Sequence, residues 1–292
     1  MKTDVYQTVT DKIIASLEQG VRPWSKPWSA ADTGAGFVLP LRGNGVPYRG
    51  INILMLWGAA FDGGYRSPFW LTYKQAQEKG GQVRKGEKGS TVVFASSITR
   101  TETGEGGEEN EKNIPFLRGY TVFNVAQIDG IEGLYPQPEE APAAPEFERI
   151  ERADSFVAAT GAAVRHGGNR AFYQPASDFV QMPPAEAFRD PVAYYGTLIH
   201  ELTHWTGHKS RLDREFGKRF ADKAYAFEEL VAELGAAFLS AKLGLTTEPR
   251  EDHAAYLGHW LDVLKADKRA IFTAASQAQR AADFLSGREA QP

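Results

Sequence analysis

Apolar residues recur at helical spacing at Val9, Ile13, Ile14 and Leu17, between a capping Asp4 and a terminating Gly20, which predicts a first helix. Asn52–Ala60 and Leu71–Lys79 are the next helical candidates, while Thr91–Phe94 (TVVF) and Tyr120–Ile128 (YTVFNVAQI) read as strands. Beyond them the periodicity becomes almost wholly helical, over 147–160, 191–207, 221–243, 252–265 and 267–285, with one short strand at Ser177–Met182. Two stretches interrupt the pattern. Thr101–Lys112 (TETGEGGEENEK) is acidic and Gly-rich and reads as a mobile hairpin loop. Tyr135–Pro145 (YPQPEEAPAAP) carries four prolines and reads as a stiff linker. The expected organisation is α+β: a small α+β domain over 1–134, a Pro-rich linker over 135–146, and a mostly helical domain over 147–292.

Composition narrows the chemistry. The 292 residues include no cysteine, which excludes a disulfide framework, thiolate catalysis and a Cys-based zinc site. The longest apolar run, Ile51–Phe61, is interrupted by Asn52 and Gly58 and is too short to span a bilayer. Residues 1–7 lack the apolar core of a secretion signal, so neither membrane nor export is expected. The net charge of −4 hides a strong asymmetry: residues 1–100 balance at +6, residues 101–152 at −8 and residues 153–292 at −2. Four of the six tryptophans lie in the first 70 residues, and all six histidines lie after residue 165. The two halves therefore present different chemistry.

In the back half, His200-Glu201-Leu202-Thr203-His204 forms an HExxH sequence. Histidines at i and i+4 stand roughly 40° apart on one helix face and can converge on one ion, while the intervening glutamate can act as general base on a water. Asp190-Pro191 supplies an N-cap and first-turn pair for this helix, and Gly207 a stop. Val192, Tyr195, Leu198, Ile199 and Leu202 form an apolar stripe that leaves His200 and His204 on the other side. A catalytic zinc usually takes three protein ligands, and the helix over 221–243 offers Glu228, Glu229 and Glu233. Glu229 and Glu233 lie opposite its apolar stripe, on a face whose small residues Ala232, Ala236 and Ser240 would let another helix approach. Glu229 is read as the third ligand and Glu233 as a carboxylate orienting a ligating histidine; the alternative is two solvated glutamates. His208 follows Gly207 and is disfavoured as a ligand. Zinc is the expected ion, with another divalent transition metal as the alternative.

The front half interleaves aromatic and basic residues: Trp24 and Trp28 within VRPWSKPW, then Tyr48 and Arg49, then Trp70, Tyr73, Lys74 and Gln75, then Arg84, Lys85 and Lys88. Rings that stack on unpaired bases and cations that track phosphates are the requirements for binding single-stranded nucleic acid. Nothing in the sequence resembles a base-reading helix or zinc finger, so no sequence specificity is expected.

These residues resemble the ArdC-type antirestriction proteins of conjugative plasmids along nearly the whole chain. The front half is similar to that family's single-stranded-DNA-binding domain through ASLEQGVRPWSKPW (15–28), PYRGINILMLW (47–57), FWLTYKQAQEKGGQVRKGEKGSTVVF (69–94) and FNVAQIDGI (123–131). The back half is similar to its zincin-like metallopeptidase domain through HELTHWTGH (200–208), SRLDR (210–214) and FEELVAELGAAFL (227–239). The resemblance implies a cytoplasmic bacterial protein that protects incoming plasmid DNA from restriction, with Glu229 as third ligand. Its partners would be single-stranded DNA and a protein substrate, for which the restriction machinery is a candidate. Three functions follow as alternatives: a DNA-binding protein with a working zinc peptidase, a non-proteolytic DNA-binding protein with a structural or vestigial metal site, and a housekeeping peptidase with an unrelated basic domain.

Overall fold

The computed structural model describes residues 4–24, 38–103, 109–136, 146–217, 223–245 and 256–287. Helix α1 (Val5–Glu18) starts where the Asp4 carboxylate accepts from the Tyr6 and Gln7 amides and buries Val9, Ile13 and Leu17. Helix α2 (Ile51–Gly63) follows β1 (Leu41–Arg42), and the run Phe69–Thr72 forms β2 rather than the start of a helix. The helical reading of Leu71–Lys79 holds only for α3 (Tyr73–Glu78), because a capping box between Thr72 and Gln75 fixes its first turn there. Strands β4 (Ser90–Thr103) and β5 (Glu109–Asn124) form a long hairpin paired as far as Thr103↔Glu109. Most of the acidic stretch is therefore ladder instead of loop, as Ile98 and the threonines at 99, 101 and 103 favour extended backbone. The second predicted strand ends early, since Asn124 and Gln127 make a further capping box around one 3-10 turn, Val125–Gln127.

The main sheet runs in the order β1-β2-β5-β4, and β3 (Gln82–Val83) pairs with β6 (Ile128–Asp129). Tyr135 packs into the front half, where its hydroxyl donates to the Gly43 carbonyl at 3.1 Å. The rest of the predicted linker, 137–145, lies outside the described residues.

The back half holds α4 (Glu146–Thr160), α5 (Pro191–Thr206), α6 (Lys223–Leu243), α7 (Leu257–Ala266) and α8 (Ala270–Leu285). The predicted strand near 177–182 is β9 (Phe179–Met182), parallel to β7 (Val164–His166) and antiparallel to β8 (Phe172–Gln174). The sequence pattern gave no sign of these two short partners. Strands β8 and β9 lie against α5. Helix α5 begins with the Ala193 amide donating to Asp190 Oδ1 at 2.7 Å and with Pro191 in the first turn. It is not a one-sided amphipathic helix: every residue from Thr197 to Thr206 is buried, because β8, β9, α6 and α8 surround it.

The halves share one core. Trp24 meets Trp260 edge to face at 5.9 Å, and Trp57 packs on Phe238 at 6.1 Å. The Gly50 amide donates to Gln279 Oε1 at 3.0 Å, Arg49 pairs with the buried Asp283, and Thr10 Oγ1 donates to the Lys268 carbonyl at 2.7 Å. The front half is thus docked along α6, α7 and α8. Among the described residues, no helix is long and apolar enough to cross a membrane.

One glycine sets how closely the two central helices approach. A Cβ at Gly235 of α6 would lie 2.6 Å from Thr203 Cγ2 of α5. Alanine should therefore push the helices apart, and that strain outweighs its helix-propensity advantage of about 1 kcal/mol. Gly235→Ala is expected to cost about 1–3 kcal/mol in urea unfolding.

Candidate metal centre

Helix α5 carries His200 and His204 one turn apart, with ring centroids 4.9 Å from each other. Helix α6 brings three glutamates, Glu228, Glu229 and Glu233, against them. His200 Nε2 lies 3.5 Å from Glu229 Oε2, and His204 Nε2 lies 3.6 Å from Glu229 Oε1. Donors set tetrahedrally around an ion at 2.0–2.1 Å stand about 3.3–3.4 Å apart, so these spacings suit one small cation. The ligand atoms of His200, His204 and Glu229 all lie within 4.8 Å of one another.

Each imidazole is backed by a second carboxylate. His204 Nδ1 lies 3.1 Å from Glu228 Oε1, and His200 Nδ1 lies 3.8 Å from Glu233 Oε2. Glu233 thus stands on the Nδ1 side of His200, and Glu228, set aside in the sequence, is hydrogen-bonded on the Nδ1 side of His204. Arg214 grips Glu228 with two bonds of 2.9 and 2.8 Å and donates to Thr206 Oγ1 and the Thr203 carbonyl at 2.7 and 2.6 Å. A Cβ at Gly207 would lie 3.0 Å from Arg214 Nη2, so this glycine makes room for the guanidinium besides following the helix.

Glu201, Glu228, Glu229 and Glu233 are all buried, and two guanidiniums, Arg22 and Arg214, face this cluster. Four carboxylates against two arginines leave a deficit of two positive charges, which a divalent ion would balance. In the absence of an ion, protons take part of that role. Burial opposes charge on His204, but Glu229 and Glu228 outweigh it and the pKa is pushed up to about 9. Burial likewise opposes charge on Glu229, but the two imidazoles and Tyr225 hold its carboxyl well below the usual range.

The cluster opens into a cavity of about 640 Å³. Glu201, Tyr225, Phe172, Tyr173, Phe188 and Tyr256 line it together with His200, His204 and Glu229. Tyr225 is held as a neutral phenol, chiefly by burial, with its hydroxyl 3.3 Å from that of Tyr256. Its place beside Glu229 had no local sequence signal. His208 turns away, with Nδ1 2.8 Å from Ser210 Oγ.

The front-half candidates divide. Trp24 and Trp70 are each 1% exposed and Tyr48 is 8% exposed, so these rings cannot stack on bases; they fill the core, as large aromatic side chains commonly do. Arg49 is taken up by Asp283, and Arg84 by Glu87, Asp129 and the Ala126 carbonyl. Tyr73, Lys74, Gln75, Lys85 and Lys88 are exposed, although the Gln75 side chain closes the α3 capping box. Trp28 lies outside the described residues. The sequence did not single out Phe94 and Tyr120, exposed on the hairpin with their rings 6.5 Å apart, or Arg118, which lies over Tyr120. Their cross-strand register, Phe94↔Arg118 next to Val92↔Tyr120, places them together.

Fold and centre define a protein with a zincin-like domain behind a mixed helix-and-sheet domain. Residues 3–123 match the N-terminal domain of anti-restriction factor ArdC, and residues 151–277 match the zincin-like metallopeptidase family. The metal-free crystal structure of the antirestriction ArdC protein from plasmid R388 superposes with a TM-score of 0.80 at 50% identity, covering 97% of each chain. The Mn(II)-bound structure of that protein gives the same TM-score and identity over 99% of each chain. An uncharacterized protein of Sinorhizobium fredii, y4eC, is 46% identical over 98% of this chain and 93% of its own. A DNA primase, TraC of Escherichia coli, is 37% identical over 98% of this chain, which spans only 27% of the primase. The chain belongs to the ArdC antirestriction family.

Because a ligating imidazole must be neutral, an ion held by His204 would displace its proton. Affinity for Zn(II) should climb about tenfold per pH unit from about pH 7 and level off as pH passes about 9. The sign for the ion-free fold is opposite: the raised pKa stabilises it fully below 6.5, and that contribution is lost as pH rises through about 9. Chelator-competition titrations and ion-free unfolding at several pH values check both.

Proposed function

We propose that this chain is a cytoplasmic antirestriction protein that binds single-stranded DNA and carries a zinc-dependent peptidase site, protecting incoming conjugative plasmid DNA. The observation that carries the peptidase reading is the convergence of His200, His204 and Glu229 on one point beside Glu201, in an open cavity. A divalent ion held there would act as a Lewis acid toward a peptide carbonyl and make water a better nucleophile. Glu201 takes the proton of the water that adds to the carbonyl carbon and delivers it to the leaving amine nitrogen as the C–N bond breaks. Tyr225 keeps its proton and offers a hydrogen-bond donor at the wall of the cavity. Glu228 and Glu233 fix the two rings with Nε2 toward Glu229. The aromatic wall of Phe172, Tyr173 and Phe188 suits an apolar side chain of an extended peptide.

The single-strand reading rests on the family's N-terminal domain, on the +6 balance of residues 1–100, and on the exposed Tyr73, Lys74, Lys85, Lys88, Phe94, Tyr120 and Arg118. With Trp24, Trp70 and Tyr48 buried, these exposed rings and cations are the groups assigned to bases and phosphates.

Glu201→Gln should retain the bound ion and lower cleavage of a peptide library by about 10²–10⁴-fold; unchanged cleavage would contradict the assigned base. If the same variant protects plasmid transfer into a restricting recipient as well as the wild type does, protection is non-proteolytic and the site serves another purpose. Replacing Lys74, Lys85 and Lys88 together by alanine should weaken binding to an oligonucleotide and flatten its salt dependence by about 2 in log–log slope. Binding that ignores salt would contradict the surface assigned.

A further inference from the structure

Arg22 belongs to the front half of the chain, yet its guanidinium reaches the back of the metal centre. Its Nη1 lies 3.6 Å from Glu233 Oε1, with the two side chains 15% and 8% exposed. The other oxygen of that carboxylate is the one 3.8 Å from His200 Nδ1. Two residues further on, Trp24 is sunk against Trp260, which stacks on Tyr256 at an interplanar angle of 19°. Arg22 therefore extends from an anchored backbone, not a loose surface loop.

The order of groups is the one found around the second histidine, at longer distances. There Arg214 holds Glu228, and Glu228 faces His204 Nδ1. Here Arg22 forms a longer ion pair with Glu233 at 3.6 Å, and Glu233 faces His200 Nδ1 at 3.8 Å, both beyond hydrogen-bond distance. A carboxylate facing Nδ1 fixes the tautomer and turn of a ligating ring, but a buried carboxylate keeps its charge and direction only when a partner offsets its desolvation. Arg214 lies only a few residues beyond α5 in the same half, whereas Arg22 crosses from the other half.

We propose that Arg22 is a positioning residue of the metal centre: through Glu233 it orients His200, so the docked front half helps set the metal affinity of the back half. The inference rests on the ligand set His200, His204 and Glu229. It is tested on the full chain by titration with Mn(II), reading the free-ion electron paramagnetic resonance signal, alongside urea unfolding of each variant. Arg22→Met should weaken Mn(II) binding about tenfold, the usual scale for losing support behind a ligand, and Arg22→Lys should stay within about threefold of the wild type. In a Glu233→Gln background, Arg22→Met should add less than about twofold, since its path to His200 is already cut. Arg49→Met breaks a different contact between the halves, so it should lower the unfolding midpoint and leave Mn(II) affinity within about twofold. If Arg22→Met does not fold, Arg22→Gln carries the same expectation.

Wild-type affinity in Arg22→Met, an undiminished loss in the Glu233→Gln background, or an equal loss in Arg49→Met would each overturn the positioning role while leaving the ligand set standing. A wild-type chain that binds no Mn(II) would overturn the ligand set itself and the proposal with it.

Discussion

Four carboxylates buried between α5 and α6 dominate the energetics of the back half. Taking even one such charge out of water costs several kcal/mol unless something nearby compensates. The protein meets this demand with two guanidiniums, two imidazoles and helices held close by the Gly235–Thr203 contact. A cluster still short of positive charge is a poor way to stabilise a fold and a good way to attract a cation. The same shortage that lifts the His204 pKa makes the site receptive to a divalent ion.

The second constraint is the shared core. Trp24, Trp57 and Arg49 of the front half meet Trp260, Phe238 and Asp283 of the back half, so the two family domains are not beads on a string. This contact explains why Trp24, which looked like a stacking platform, is a core residue, whereas Trp70 and Tyr48 are buried within the front half itself. It also means that events on the hairpin surface and events in the cavity take place on one packed body, with Arg22 as the described side chain of the front half that reaches the ligand cluster.

Residues whose geometry is local were legible in the sequence. The i, i+4 spacing of His200 and His204 and the Asp190-Pro191 start depend only on helix geometry, and the structure places both as read, whereas the close approach of α5 is at Gly235, which the sequence reading did not name. Residues whose role depends on tertiary approach were not. Glu228 lies to one side of the Glu229 face in an isolated helix and becomes His204's partner only through the way α5 and α6 pack. Arg214 and Arg22 come from outside both helices. Tryptophan and tyrosine carry the same local signal whether they stack on bases or pack a core, and docking of the halves decided Trp24 for the core. The β4–β5 hairpin outran its predicted loop because pairing across the strands outweighs glutamate-rich composition.

In the proposed centre, His200, His204 and Glu229 hold one divalent ion. X-ray absorption at the zinc edge of the full-length chain loaded with one equivalent of Zn(II) tests it most directly. Two imidazole nitrogens at about 2.0–2.1 Å are expected, with the remaining positions filled by oxygen and one oxygen neighbour lost in Glu229→Ala. A spectrum showing only oxygen neighbours, or one unchanged in Glu229→Ala, would contradict it.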